Sequence, residues 1–600
     1  MSGSVAVGRT SRLTLVGLAA ALLIVVTSVV PTSGSGATVR IAYTVGLETL
    51  DPARAPDVFT QAVAGMLFDQ LYIPDYLARP VQVRPLAASG MPSVSPDGRE
   101  ITIAIRPGIR FASHPAFGGR PREMTAEDFV YSMKRFMDPV LRSPIVSLIA
   151  GKIEGLDDLG SRASAGKARF DYDEKVSGLM AVGRYTVRIR LMQPDPTFVY
   201  LLANPDLSIV PREAVEADGD EFARRPTGSG PYVVREFKPG ARLVLERNPD
   251  YRAMRWEDVA TAGPNDPEWA TALRGRRFPL PDRVELLNIP EATTRLLALE
   301  RGEIDVAPAP AAAIENNKLA PRLAKAGFKL VRAAAPILNW FSFNMRDPQI
   351  GGAAPANIAL RRAIALAVDD DEYIRVLEDG AATKAEFWIP PGISGYDPRY
   401  RNPVRYDPAT ANALLDRFSY RKGRDGYRRR PDGSELALTF TVGTSSRQRQ
   451  WSEFMKRSFE RIGVRVKFDP VAGSEQVARV ETCRFQIQNT GGWIFDWPDG
   501  SNLMLAFYGR ANGSVGMACM QDQEFDTVYE RLLITPLGPE RVPLYRHLVE
   551  RLNVLTPVRL LPVPDEIYLT APTIRGLLVH PAPGPNYAPF PYLDIAAKAR

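Results

Sequence analysis

Leu13 to Val30 is an apolar run broken only by Thr14, Gly17, Thr27 and Ser28, and no second run of that length follows it. Everything after it must therefore remove its apolar side chains from water by folding on itself. Arg9 and Arg12 precede the run, Pro31 stops a helix, and Ser35-Gly36-Ala37 supplies small residues. Residues 1–37 thus read as an export signal. The run is also as long as a short membrane-spanning helix, so an uncleaved anchor is the alternative. No cysteine directly follows it, so no lipid attachment point is expected.

A chain of 600 residues is too long for one core and implies at least two domains. With 45% apolar and 24% charged residues it has the composition of a globular protein. The net charge of +7 is small for this length and the basic residues are scattered. The densest cluster, Arg421-Lys422 to Arg430, leads into Pro431-Asp432-Gly433 and reads as a solvated loop before a turn. A nucleic-acid surface would need a basic stripe with interleaved aromatics, so no nucleic-acid partner is expected. Cys483 and Cys519 are the two cysteines. In an oxidising compartment such a pair implies one disulfide, with two unpaired buried thiols as the alternative.

Catalytic and metal signatures are missing. His114, His547 and His580 are far apart, no HExxH or CxxC occurs, and no GxSxG elbow is present. Gly160-Ser161-Arg162-Ala163-Ser164-Ala165-Gly166-Lys167 is one residue too long for a phosphate loop, and Ala168 replaces the required hydroxyl. It reads as a flexible connector. Asp157-Asp158 and Asp369-Asp370-Asp371 read as solvated. No metal, no cofactor and no enzyme activity are expected; a carboxylate-only hydrolase is the enzyme alternative.

The pattern along the chain is mixed α/β. Val39 to Tyr43, Ile101 to Arg106, Tyr185 to Leu191, 232–237 and 242–247 alternate like strands, and Ala62 to Tyr72 reads as a helix. Thr125 opens another helix as N-cap, with Asp128 three residues on in an imperfect capping box. Further on, Leu360 to Val368 (ending on Asp369), Pro408 to Phe418 and Trp451 to Ile462 read as helices. Leu436 to Val442 and Val464 to Phe468 are strands beside the last of these, which predicts βαβ units. The character of the chain changes near Asn339–Asn344.

Residues 488–497, Gln-Asn-Thr-Gly-Gly-Trp-Ile-Phe-Asp-Trp, combine close-approach glycines, aromatic walls and one carboxylate, Asp496. That composition suits a binding cleft, and equally a strand ending in a turn.

Ten blocks in order give the chain a family resemblance. They include Leu50-Asp51-Pro52, Ile105 to Phe111, Thr125 to Ser132, Gly228-Ser229-Gly230-Pro231-Tyr232 and Asn248-Pro249-Asp250-Tyr251. Leu299 to Asp305, Phe343-Asn344, Leu360 to Ile364, Tyr406 to Ala411 and Gly492-Trp493-Ile494-Phe495-Asp496-Trp497-Pro498-Asp499 complete the set. The chain resembles the family-5 extracellular solute-binding proteins of ABC importers, which include the oligopeptide- and dipeptide-binding proteins. The resemblance implies an α/β, two-lobed periplasmic-binding-protein fold of class II, cluster C, with an extra domain inserted in lobe one. Lobe one would comprise 38–76, 205–341 and 565–600, the inserted domain 77–204, and lobe two 342–564. The lobes would close on a ligand about a hinge near Trp340–Asn344 and Pro562–Asp565.

The same resemblance implies a monomeric, extracytoplasmic receptor that hands a peptide or other small solute to membrane permease subunits. In peptide-binding members the aspartate of the last block pairs with the ligand's α-ammonium, which assigns that role to Asp496. Backbone at Gly492 and Ile494 would pair with an extended ligand, and Trp493 would wall a side-chain pocket. A transport-independent sensor or chaperone-like binding protein fits the same blocks. Residues 253–282 are longer than the family pattern and are expected to fold over the surface, and no partner for a ligand carboxylate is evident.

Overall fold

The alternating run at Thr38–Tyr43 becomes an inner strand of the largest sheet, with Val39 fully buried and Ile41 and Tyr43 nearly so. The computed structural model describes residues 37–55, 57–164, 170–264, 266–335, 337–494, 498–513, 515–578, 580 and 592–595. The expected export signal lies outside them, apart from Ala37. Among the described residues no helix is long and apolar enough to cross a membrane.

This sheet has eight strands, and seven of them run in the order Lys329–Ala334, Val563–Thr570, Val306–Pro308, Thr38–Tyr43, Arg283–Asn288, Arg242–Arg247, Tyr232–Lys238. Ala382–Thr383 adds to the start of Val563–Thr570. Thr38–Tyr43 is parallel to both of its neighbours and the other pairings are antiparallel. Apolar clusters cover both faces, one around Val39, Ile41, Leu67, Phe68 and Leu286, the other around Ala42, Leu299, Leu323 and Leu569.

Between the first and later strands of that sheet the chain builds a separate four-stranded antiparallel sheet. Glu100–Ala104 and Thr186–Arg190 pair at its centre. The helix Ala126–Arg135 packs on it through Phe129 and Met133. The capping box is complete: Asp128 accepts from the Thr125 backbone N–H at 2.7 Å, and Arg122 adds a two-pronged ion pair at 3.0 and 2.6 Å. The phosphate-loop look-alike is not a flexible connector over its first half. Leu156–Ser164 is a helix, and Gly160 is buried so closely on Met137 that a Cβ would meet the Met137 carbonyl at 2.9 Å. Residues 165–169 lie outside the described set.

The five-stranded sheet runs Arg465–Pro470, Ala437–Val442, Ile487–Ile494, Ile337–Phe343, Val558–Leu561. Ala437–Val442, the helix Ser446–Arg461 and Arg465–Pro470 form the expected parallel βαβ unit. The helix read as Leu360 to Val368 spans Pro355–Leu366, since Pro355 suits a first turn. Asp369 does not end it but caps the next helix, Asp370–Leu377. Asp370 is not merely solvated either, for it pairs with Arg559 at 2.8 Å.

The basic run before Pro431 is mostly exposed loop and turn, as expected, but Arg428 within it departs furthest from expectation. Arg428 is buried, donating to the carbonyls of Ile462 and Tyr420 and to Asp416 and Asn412. A guanidinium with five donors can be desolvated when its donors meet acceptors, and here two elements end on it. Residues 253–282 likewise build a small core of their own, with Trp256, Leu273 and Phe278 packed against Tyr76 and Tyr592.

Apart from the excursion through Ala382–Thr383, two connections link the large and five-stranded sheets. The chain leaves the first after Ala334 and enters the second at Ile337; it returns from Leu561 to Val563 across Pro562. The Ala335 N–H donates to the Pro564 carbonyl at 3.1 Å, so the crossings run side by side.

Candidate functional site

Ile487–Ile494 carries most of the aromatic, glycine-rich segment picked out in the sequence. Its whole length pairs antiparallel with Ile337–Phe343, through Leu338↔Trp493 and Asn339↔Gly492, with an irregularity between Trp340 and Phe341. On its other edge the strand meets Ala437–Val442 only at Ile487 and Gln488. Beyond Asn489, as far as Ile494, that edge has no strand partner among the described residues. A Cβ on Gly492 would meet Asn339 Oδ1 at 2.7 Å, so a side chain here would have to displace the Asn339 amide.

Trp493 is held from two directions. Its indole N–H donates to Asn502 Oδ1 at 2.8 Å, and its ring stacks on Trp340 with centroids 6.3 Å apart. Trp340 in turn touches Phe507 at 6.0 Å, so one exposed edge of Trp493 is backed by a rigid aromatic layer. The backbone of Ile494 pairs with Ile337; its side chain, and all of Phe495, Asp496 and Trp497, lie outside the described residues.

Both ends of the segment are fastened. At its root, Cys483 and Cys519 form the expected disulfide, with Cα atoms 6.0 Å apart, and the Asn344 amide donates to the carbonyls of Cys483 and Phe485 at 2.9 and 2.7 Å. The bridge closes 36 positions, for which the chain-entropy account gives about 3–4 kcal/mol. Cys483→Ala/Cys519→Ala should lower the unfolding free energy by about that amount and raise the m-value, because the unlinked denatured chain is more expanded. An unfolding free energy equal to the wild type would show the bridge to be energetically idle.

Beyond the other end lies Asp499, a residue whose role the sequence does not disclose. It is fully buried, and its Oδ1 accepts from Arg541 at 2.8 Å, the Tyr545 hydroxyl at 2.6 Å and the Ser501 backbone and hydroxyl at 3.0 and 2.6 Å. Arg541 also donates to the carbonyls of Leu532 and Thr535, both at 2.8 Å. Burial, and next the Asp499 charge, push the Tyr545 phenol well above its ordinary range, so it stays a donor. The loop 389–395 closes over this knot, Ser394 bonding to Pro498 and Gly500, while Gly392 accepts from the Val81 N–H at 2.8 Å. Asp499 stands in the quoted block, but nothing local points to Arg541, which is 42 positions away.

Among the described residues no group of three or more His, Cys, Asp or Glu side chains could hold a metal ion. His114 faces Asp218, His547 faces Glu524, and His580 bonds the Asp75 carbonyl, each apart from the others. What the site offers is an open backbone edge, an aromatic wall and rigid anchors on both sides.

Residues 82–514 match the family model described as bacterial extracellular solute-binding proteins, family 5. The chain belongs to that family. Proteins of this family are the solute-binding components of ABC importers, and this chain is one of them. It is 26% identical over 518 residues to di/tripeptide-binding protein 2 of Pseudomonas aeruginosa, covering 83% of this chain and 84% of that one. It is 24% identical over 447 residues to the glutathione-binding protein GsiB of Salmonella typhimurium, covering 74% and 71%. The DppA protein of Helicobacter pylori, solved with the peptide STSA, superposes with a TM-score of 0.64 at 21% identity, covering 94% of this chain and 98% of that one. The fold is thus the two-lobed periplasmic-binding-protein fold that the sequence blocks imply.

Proposed function

We propose that the protein captures a short peptide, or a small solute with a free amine, between two closing lobes and delivers it to the permease subunits of an ABC importer. The observation that carries the peptide reading is the edge of residues 490–494, which has no strand partner among the described residues. An extended peptide satisfies such an edge by strand addition, main chain to main chain, which gives affinity without dictating side chains. Gly492 and Ile494 supply backbone to that pairing, Trp493 walls the adjacent side-chain pocket, and Asp496 takes the ligand's α-ammonium. The relatives named for di/tripeptides and glutathione agree with a short peptidic ligand.

The lobes in this reading are 38–76, 205–341 and 565–600 on one side and 342–564 on the other, with 77–204 inserted in the first. Because Ile337–Phe343 pairs within the five-stranded sheet, its first residues go with the second lobe, and the first hinge point lies at the crossing before Ile337 rather than near the expected Trp340–Asn344; the second lies at Pro562, and at both few backbone torsions absorb a rotation. The protein acts outside the cytoplasm as a monomer.

Titration calorimetry with defined di- and tripeptides, each beside its N-acetylated form, tests the function. The free-amine peptides should bind and the acetylated ones fail. Binding of neither, or equal binding of both, refutes the amine-anchored peptide reading. Solution scattering should show a smaller radius of gyration on addition of a bound peptide; superimposable curves at saturation would contradict closure.

A further inference from the structure

The crossing strand Val563–Thr570 carries two acidic residues in succession, on opposite faces of the large sheet. Asp565 is matched: it pairs with Arg332 and accepts from Thr383 Oγ1 at 2.9 Å. Glu566 is not. Among the described residues its side chain meets only the Tyr568 hydroxyl, at 3.4 Å, long for an O–H···O bond. Its neighbour across the sheet is Ala333. Burial raises its pKa, the Tyr568 hydroxyl lowers it in part and no cation contributes, so the half-buried carboxylate has no charged partner among the described residues.

A second orphan lies on the same face. The Tyr43 hydroxyl is buried without a hydrogen-bond partner among the described residues. Burial, and then Glu48, push its pKa up to about 12, so it remains a donor. Register fixes where the two stand. Ile41 faces Val306 in the parallel pair, and Pro308 faces Tyr568 in the antiparallel one. Tyr43 is therefore level with Tyr568, two strand spacings or about 10 Å away, and Glu566 is one same-face step further along. Both groups sit where the parallel strands Thr38–Tyr43 and Val306–Pro308 end, and the chain beyond Tyr43 is exposed at Val45. In open α/β sheets the carboxyl ends of parallel strands form the ligand crevice. Glu566 also follows Pro562 by only four positions, which puts it on the large-sheet wall beside the hinge.

We propose that Glu566, with the Tyr43 hydroxyl as its neighbour on that wall, is a second recognition point of the solute site and takes a basic side chain of the bound peptide. This rests on the peptide-binding reading above. Asp496, on the opposite lobe, would hold the α-ammonium, and Glu566 would select for a lysine- or arginine-type group further along. A cation closed in against this carboxylate provides the compensation that the protein itself withholds.

The test uses the full mature chain and tripeptides in which each position in turn of Ala-Ala-Ala carries lysine or norleucine, which lacks only the ammonium. At one position the wild type should prefer lysine by about 30-fold, a typical value for a desolvated charge pair. Glu566→Gln should bring the two peptides within about threefold of each other at that position. Tyr43→Phe should reduce the preference without abolishing it. A wild type that binds the tripeptides with no lysine preference anywhere overturns the assignment and leaves the peptide reading intact. So does a preference that survives in Glu566→Gln, and so does a variant that is only stabilised. A wild type that binds none of the tripeptides overturns both.

Discussion

Arg541→Met should destabilise the protein by about 3–5 kcal/mol, because it removes one partner of a buried ion pair and strands the other. Asp499 is fully buried and Arg541 nearly so, and the carboxylate would keep only Tyr545 and Ser501 as donors. The Thr535 carbonyl would lose the Arg541 donor as well, and the Leu532 carbonyl would keep only the Thr535 N–H at 3.3 Å. Methionine fills much of the same volume, so the loss reports charge and hydrogen bonding rather than a cavity. The double variant Asp499→Asn/Arg541→Met should recover part of it, since replacing both members of a buried pair is far milder than breaking one. Urea unfolding of the three proteins decides the matter. A single variant within about 1 kcal/mol of wild type would show that the pair contributes little.

Asp496→Asn should weaken peptide binding by about 30-fold or more, equivalent to 2–5 kcal/mol, with the fold intact. The amide is nearly isosteric with the carboxylate, so in the proposed role what disappears is the charge that would face the ligand's ammonium in a closed cleft. There the pair is worth more than on a surface, since water no longer screens it. The two predictions separate cleanly: Arg541→Met should move the unfolding midpoint, Asp496→Asn the dissociation constant. An Asp496→Asn protein with wild-type affinity for a free-amine tripeptide would remove Asp496 from the site.

Legibility in the sequence followed the range of the interactions involved. Thr125 and Asp128 are three positions apart, and their reciprocal cap could be read directly. The strand Thr186–Arg190 and the βαβ unit at 437–470 were also visible, since periodicity is local. Arg428 and Asp370 were misread because their burial depends on partners 34 and 189 positions away. Gly160 was misread because a glycine that admits a neighbouring helix looks in sequence like one that loosens a loop. Within the candidate site, Gly492 and Trp493 could be chosen from composition, whereas Arg541, Glu566 and the unpaired strand edge emerge only from pairing. The disulfide was deducible by count, with only two cysteines to join.

The placement of Val563–Thr570 has a consequence for how such a chain is made. This strand, far later in the chain than its two neighbours, lies inside the large sheet between strands that end near residues 308 and 334. The Tyr76 hydroxyl likewise reaches its acceptor, the Gly576 carbonyl, across 500 positions. Nearly the whole polypeptide must therefore be available before the sheet can close, and such non-local pairing is slow. A chain that emerges from the ribosome amino end first thus stays short of its compact form until this strand appears. The order of strands works as a clock that sets how late in synthesis the sheet can close.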